Sequence, residues 1–195
     1  MGRTSTARER LLDAAGELLH SRGYTAAGVA EICAHAGVRK GSFYHFFASK
    51  QTLTLEAVDA HWAARRTVWD AFAGADGPPL DRLHGLLRAH ADAQRADRAE
   101  HGSVRGCLLG NLGLELSGHE PGIQARIAAI FAEQAAMVRT LLTEAARTEA
   151  VADDEATARA VVAQLEGTVL LAKLADDLAA FDGLWPAVRR LIRTD

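Results

Sequence analysis

Arg39, Lys40, Ser42, Tyr44, His45 and Lys50 lie close together in the chain and bring cations, hydroxyls and an imidazole to one short stretch. Guanidinium and ammonium groups pair with phosphate oxygens, and hydroxyls and imidazoles reach both phosphates and base edges, so this set suits a nucleic acid. The chemistry of hydrolases and nucleotide enzymes is not encoded: there is no G-x-x-x-x-G-K-[ST], G-x-S-x-G or H-E-x-x-H run. His84 and His90 are six apart and point to different faces of a helix, which makes a poor metal pair. No metal, no cofactor and no enzymatic activity are expected. Cys107 is the one nucleophile that stands out beyond the basic stretch.

The elements that position the basic residues can be read from the pattern around them. One helical stretch ends at Ala36-Gly37 and another begins at Val38-Arg39-Lys40-Gly41-Ser42, leaving room only for a tight turn, the spacing of a helix-turn-helix. Gly37 supplies the positive φ at which the earlier helix can stop. Val29, Ile32 and Cys33 recur at helical spacing and face inward. Ahead of them, Leu11, Leu12, Ala15, Leu18 and Leu19 form the apolar face of a first helix from about Thr6 to His20. Phe43, Phe46 and Phe47 are core aromatics, whereas Tyr44 carries a hydroxyl that a phosphate can use. Ser49 caps a further helix starting near Lys50, where the positive helix end and the ammonium can hold one phosphate together.

Leu11-Leu12, Gly23-Tyr24, Ile32-Cys33, Ala36-Gly37-Val38, Lys40-Gly41, Tyr44, Phe47, Lys50 and Leu53 stand in the register I-A-x-x-A-G-V-x-K-G-x-x-Y-x-x-F-x-x-K-x-x-L, preceded by an apolar helix and G-Y. Over about the first third of its length the chain thus resembles the TetR family of transcriptional repressors. The resemblance implies an all-α fold: a three-helix helix-turn-helix domain at residues 6–66, which includes the start of a linking helix, and a helical ligand-binding and dimerisation domain at 67–195. It further implies a homodimer that holds a palindromic double-stranded DNA operator and is released by a small-molecule inducer. Two positions depart from the pattern. Ala27 stands where Thr or Ser often opens the second helix, so the cap and a phosphate contact fall to Thr25 or are lost. Arg39 replaces a small residue before Lys40 and adds a phosphate contact or shifts base preference.

Net charge is −3, but it is unevenly placed. Residues 1–50 hold seven Lys/Arg against four Asp/Glu, +3, which leaves −6 for the remainder. A basic head on an acidic body fits DNA binding through one end. A chain that is 49% hydrophobic and 24% charged, with no run of about 18 apolar residues and a polar N-terminus, reads as a cytoplasmic protein outside the membrane. Two cysteines in separate segments make no disulfide framework there.

Beyond the head, Leu55, Val58, Trp62 and Trp69 carry the fourth helix to a break at Gly74–Pro79. Leu80, Leu83, Leu87, His90 and Ala91 share a face of the next, with Pro79 in its first turn. Charged residues 97–105 read as a loop. A short helix at 106–117 precedes a long one running to about Thr148, with Phe131 among its inward residues. Asp153 or Asp154 caps another helix, and a last one spans Leu184 to Arg193. Leu165 to Leu178 is apolar on more than one side, as a helix between dimer partners or a monomer's core helix would be.

Gly106-Cys107-Leu108-Leu109-Gly110-Asn111, with Glu115 four residues further on, resembles a G-C-L-x-x-N-x-x-x-E stretch of one branch of the family. In that branch the stretch lies beside the inducer pocket. Helical spacing puts Cys107, Asn111 and Leu114 on one face, and a first-turn position favours the thiolate of Cys107 through the helix dipole. The competing reading is a small apolar core residue. Lys173, the only lysine after Lys50, lies in a segment resembling the same branch's E-G-x-x-L-x-A-K. It serves either as a pocket cation and tuner of Cys107 or as a surface partner of Asp176 or Asp177. His90, Cys107, Asn111, Phe131 and Lys173 are therefore the expected ligand-binding residues. The alternative mechanism is a thiol-based sensor of electrophiles or oxidants acting through Cys107.

Overall fold

The computed structural model describes residues 6–194, so Arg3, one of the basic residues of the head, lies outside the described residues. Among those described, the chain forms α1 (Ala7–Ala26), α2 (Val29–His35), α3 (Lys40–Phe46), α4 (Lys50–Ala73), α5 (Pro79–His101), α6 (Leu108–Leu116), α7 (Pro121–Ala145), α8 (Glu155–Ala175) and α9 (Leu184–Leu191). An isolated antiparallel bridge between Val151 and Arg193 is the one extended pairing among the described residues. The fold is all-α. No helix is long and apolar enough to cross a membrane, and no cluster of three or more His, Cys, Asp or Glu among the described residues could hold a metal ion.

Two compact units emerge. One joins the N-terminal helices up to Ala63 with Leu108–Ile127; the other joins Ala64–Cys107 with the chain from Ala128 onward. The chain passes between units three times, at 63/64, 107/108 and 127/128, where the sequence led us to a single division at 66/67. The physical reason is α6, which packs against α1.

In the first unit, α1 opens with a capping box. Thr6 Oγ1 accepts from the Glu9 N–H at 3.2 Å while Glu9 Oε2 accepts from the Thr6 N–H at 2.7 Å, an arrangement that stabilises by about 1 kcal/mol. Leu11, Ala15, Leu18 and Leu19 are buried as the periodicity predicts, joined by Ala14, while Leu12 is half-buried. The helix runs past His20 and kinks at Gly23, whose φ of 81° and ψ of 175° are non-helical. α2 starts at Gly28 with no side-chain cap, so Thr25 does not fill the capping role expected of it. α2 ends in a Schellman turn: Gly37, at φ 62°, donates to Ala34 O at 3.2 Å, and Val38 donates to Cys33 O at 2.9 Å. That turn launches α3.

In the second unit, Pro79 occupies the first turn of α5 and Leu80, Leu83, Leu86, Leu87 and Ala91 are buried. The helix continues to His101, through residues expected to form a loop. Arg98 and His101 sit in its last turn, where cations suit the negative helix end, and Gly102 closes it in the left-handed conformation. The charge run is a solvated helix end. Asp154 caps α8 by accepting from the Thr157 N–H at 3.0 Å. At its other end Asp176, at φ 48°, accepts from the Val104 N–H at 2.8 Å and pairs with Arg98 at 3.3 Å. Asp177 accepts from the Ala179 N–H at 2.9 Å. α8, the 3₁₀ turn Leu178–Gly183 and α9 pack together.

Candidate nucleic-acid interface and effector site

α3 is a seven-residue helix held by its aromatic side. Phe43 is fully buried with its ring 5.8 Å from that of Phe47, and Tyr44 meets Phe43 edge-on at 5.1 Å. Burial of Phe43 and Phe47 turns the opposite side of α3 outward. Arg39, Lys40, Tyr44 and His45 are exposed, Tyr44 to 60%, and Ser42 is half-exposed. Beside them an open depression of about 480 Å³ is lined by Arg10, Gly37, Arg39, Gly41, Ser42, His45 and Phe46. Phe46, expected in the core, forms part of this wall.

Among the described residues, the other cations of the head pair with protein groups. Arg8 pairs with Glu56, Arg22 pairs with Glu31, and Arg10 Nε donates to Ala36 O at 3.1 Å. Lys50 departs from its expected role. Its ammonium donates to Tyr24 O at 2.8 Å and to Ala27 O at 3.4 Å, and lies 3.9 Å from the centre of the Tyr24 ring. Two carbonyls and an aromatic face around this ammonium tie the start of α4 to the α1–α2 junction. Ser49 does cap α4, accepting from the Thr52 N–H at 3.1 Å. Thr25 is exposed, but its N–H donates to Glu115 Oε1 at 2.7 Å.

In the second unit the sequence-predicted residues meet partners that sequence reasoning missed. The Cys107 thiol, one residue ahead of α6 rather than within its first turn, is hydrogen-bonded to the carboxyl of Glu166. Burial pushes that carboxyl up, against the opposing pull of the Cys107 hydrogen bond and of the Arg65 guanidinium. His90 lies edge-on to buried Trp69 at 5.4 Å. Burial, helped by the charge of Arg65, pushes its imidazole down to about 3, so it is neutral at physiological pH. Gln94 is buried and donates to Gly106 O at 3.2 Å, while its Oε1 finds no partner among the described residues. Arg65 and Glu166 thus join Cys107 and His90 in one polar patch of an otherwise apolar unit. Glu166 was visible as the acid of the E-G-x-x-L-x-A-K segment; Arg65 carried no signal.

Phe131 is half-buried on α7, Lys173 is exposed on α8, and Asn111 is half-buried on α6 in the first unit. His84, the other half of the rejected metal pair, stacks on Trp185 at 4.7 Å. The buried thiol of Cys33 is pushed up by desolvation.

Residues 11–57 match the model of bacterial regulatory proteins of the tetR family, and residues 79–188 match the tetracyclin repressor-like C-terminal domain. The transcriptional regulator AcuR of Cereibacter sphaeroides is 35% identical over 176 residues, covering 87% of this chain and 78% of that protein. The transcriptional repressor NemR of Escherichia coli is 32% identical over 110 residues, 56% of this chain and 53% of that one. The crystal structure of a TetR regulatory protein from Rhodobacter sphaeroides superimposes with a TM-score of 0.84 at 31% identity, over 96% of this chain and all of that one. These relatives are regulators, not enzymes, and the chain belongs to the TetR family of transcriptional regulators.

Proposed function

We propose that the chain is a cytoplasmic, homodimeric repressor that holds a palindromic operator and lets it go when a small molecule enters the helical body. The observation that carries this reading is the exposed polar side of α3, with Arg39, Lys40, Ser42, Tyr44 and His45 turned outward over a rigid Schellman turn. Phosphates meet Arg39 and Tyr44; Lys40, Ser42 and His45 stand nearer the base edges. One helix of this length reads too few bases for genomic selectivity, which two copies about a twofold axis supply. Leu170, Leu171 and Leu174 on α8 and Leu191 on α9 are exposed and give such a pair an apolar face. The inducer binds where Cys107, Glu166, Arg65 and His90 of the second unit gather, with Phe131 and Lys173 of the same unit as further anchors to test. It acts only if it prefers a body conformation in which α4 has shifted and the two recognition helices lose their groove spacing. Footprinting on a duplex selected from a random pool is the test: two protected half-sites centred about one helical turn or a multiple apart are expected. A single asymmetric half-site would sink the dimeric reading.

A second reading has its own observation, the Cys107 thiol against the Glu166 carboxyl. Here the signal is an electrophile, such as an α,β-unsaturated carbonyl compound. Glu166 takes the thiol proton, the sulfur forms a bond to the β-carbon, and the α-carbon is then protonated. N-ethylmaleimide should then release the wild type from its operator and leave Cys107→Ser bound. Cys33 should react slowly, since burial raises its thiol pKa and reduces its thiolate. Release of Cys107→Ser at the wild-type rate would remove this reading and leave reversible binding.

A further inference from the structure

The glutamate that ends the G-C-L-x-x-N-x-x-x-E stretch has no part in the proposed DNA contacts or effector site, yet its carboxylate accepts two long-range backbone hydrogen bonds in the first unit. Glu115, on α6, accepts from the Tyr24 N–H at 2.7 Å through Oε2 and from the Thr25 N–H at 2.7 Å through Oε1. These two amides belong to the end of α1, just past the kink at Gly23. The kink is shaped for the carboxylate: a Cβ on Gly23 would stand 2.5 Å from Glu115 Oε2, and its φ of 81° already disfavours any other residue. The amide hydrogen bonds and the nearby Lys50 ammonium outweigh desolvation and hold the carboxyl below its ordinary range. Tyr24 is gripped from a second side as well. Its hydroxyl donates to Glu120 Oε1 at 2.6 Å, and Gln51 Nε2 donates to Glu120 Oε2 at 2.8 Å.

We propose that Glu115 is the positioning residue of the DNA-binding head: its carboxylate fixes the α1–α2 junction and thereby the angle at which α3 is presented to the operator. The proposal rests on the DNA-binding reading above. α2 and α3 are seven residues each, and neither has a side-chain N-cap. Helices this short have little stability of their own and take their orientation from what holds their ends. At one end of α2 that hold is the Schellman turn; at the other it is the junction that Glu115 grips. α6 begins immediately after Cys107, so the chain that carries the effector-site thiol continues directly into the helix that carries the grip.

The test uses the full chain and a duplex selected with the wild type. Glu115→Gln keeps the shape but removes the charge and one of the two carboxylate acceptors. It should weaken duplex binding tenfold or more while leaving the log-log salt slope at its wild-type value, because the same phosphates are still neutralised. Hydrogen exchange at the Tyr24 and Thr25 amides should accelerate in the same variant, and Gly23→Ala should reproduce both effects. Wild-type or tighter affinity in a folded Glu115→Gln variant overturns the proposal, since a mere negative charge near DNA would repel, and its loss would help. If that variant does not fold, exchange in the wild type decides: both amides must be slower than their neighbours in the free chain and slower again on the duplex, and unprotected amides overturn the grip. A wild type that selects no duplex would instead bring down the DNA-binding reading itself.

Discussion

Lys50 shows how one side chain can satisfy a motif and also carry contacts that its type does not imply. Its position at the start of α4 invites a phosphate, but its ammonium is already coordinated by two carbonyls and the face of Tyr24. Arg39 and Lys40 remain as exposed cations on the recognition side. Arg39→Ala should therefore flatten the dependence of log affinity on log salt by about 0.9, the loss of one phosphate contact. Lys50→Ala should leave that slope alone and lower the thermal midpoint of the free protein, since it strips two carbonyls of their donor. Isotherms at several salt concentrations with both variants check this pair, and a flattened slope in Lys50→Ala would restore the phosphate role. The exposed side of α3 was legible in the sequence because the turn geometry leaves those residues one outward face. Partnerships were not: a carboxylate and the amides it accepts from are 90 residues apart in Thr25 and Glu115, and no local pattern couples them.

At the scale of elements, periodicity read the helices and misread several of their ends. The apolar stripe of α5 fades after Ala91 and gives way to charged side chains, so residues 97–105 looked like a loop. Charge at a helix end is equally at home on a solvated last turn, and Gly102, not the charge run, was the reliable stop. The same distinction separates the leucines of α8. Leu165 is 1% exposed and belongs to the protomer's own core, whereas Leu174 is 75% exposed. The two positions, interchangeable in sequence as interface markers, are not so in the folded chain. Leu174→Asp should leave the protomer folded and weaken a dimer that buries this face, with loss of operator binding although the head is untouched. Leu165→Asp should unfold the chain outright. Sedimentation at micromolar concentration separates these outcomes; a Leu174→Asp dimer of wild-type strength would move the interface off α8.

For the whole molecule, the all-α class and the basic head could be read in advance, while the non-contiguous make-up of the first unit could not. Membership of Leu108–Ile127 in that unit depends on α6 meeting α1, a contact between residues about a hundred positions apart, and sequence pattern carries no such distance. The second unit's polar patch is hidden for the same reason, yet it leaves a mark on global stability. His90 has a folded pKa pushed down to about 3 from an ordinary 6.5. Between those values the unfolded chain binds a proton that the folded chain refuses, so stability falls as the pH drops below about 6.5. One proton corresponds to about 1.4 kcal/mol per pH unit, or about 2 kcal/mol between pH 6.5 and 5. Glu166 acts in the opposite sense: its folded pKa is raised, so its share of stability is present at low pH and is lost as the pH rises through that raised value. Acidification therefore costs the protein less than His90 alone would dictate. In Glu166→Gln the fall between pH 6.5 and 5 should steepen, and in His90→Asn it should flatten by about 2 kcal/mol. Denaturant unfolding at half-unit pH steps checks both, and a His90→Asn profile parallel to the wild type would mean that the imidazole takes up its proton in the folded chain as readily as in the unfolded one.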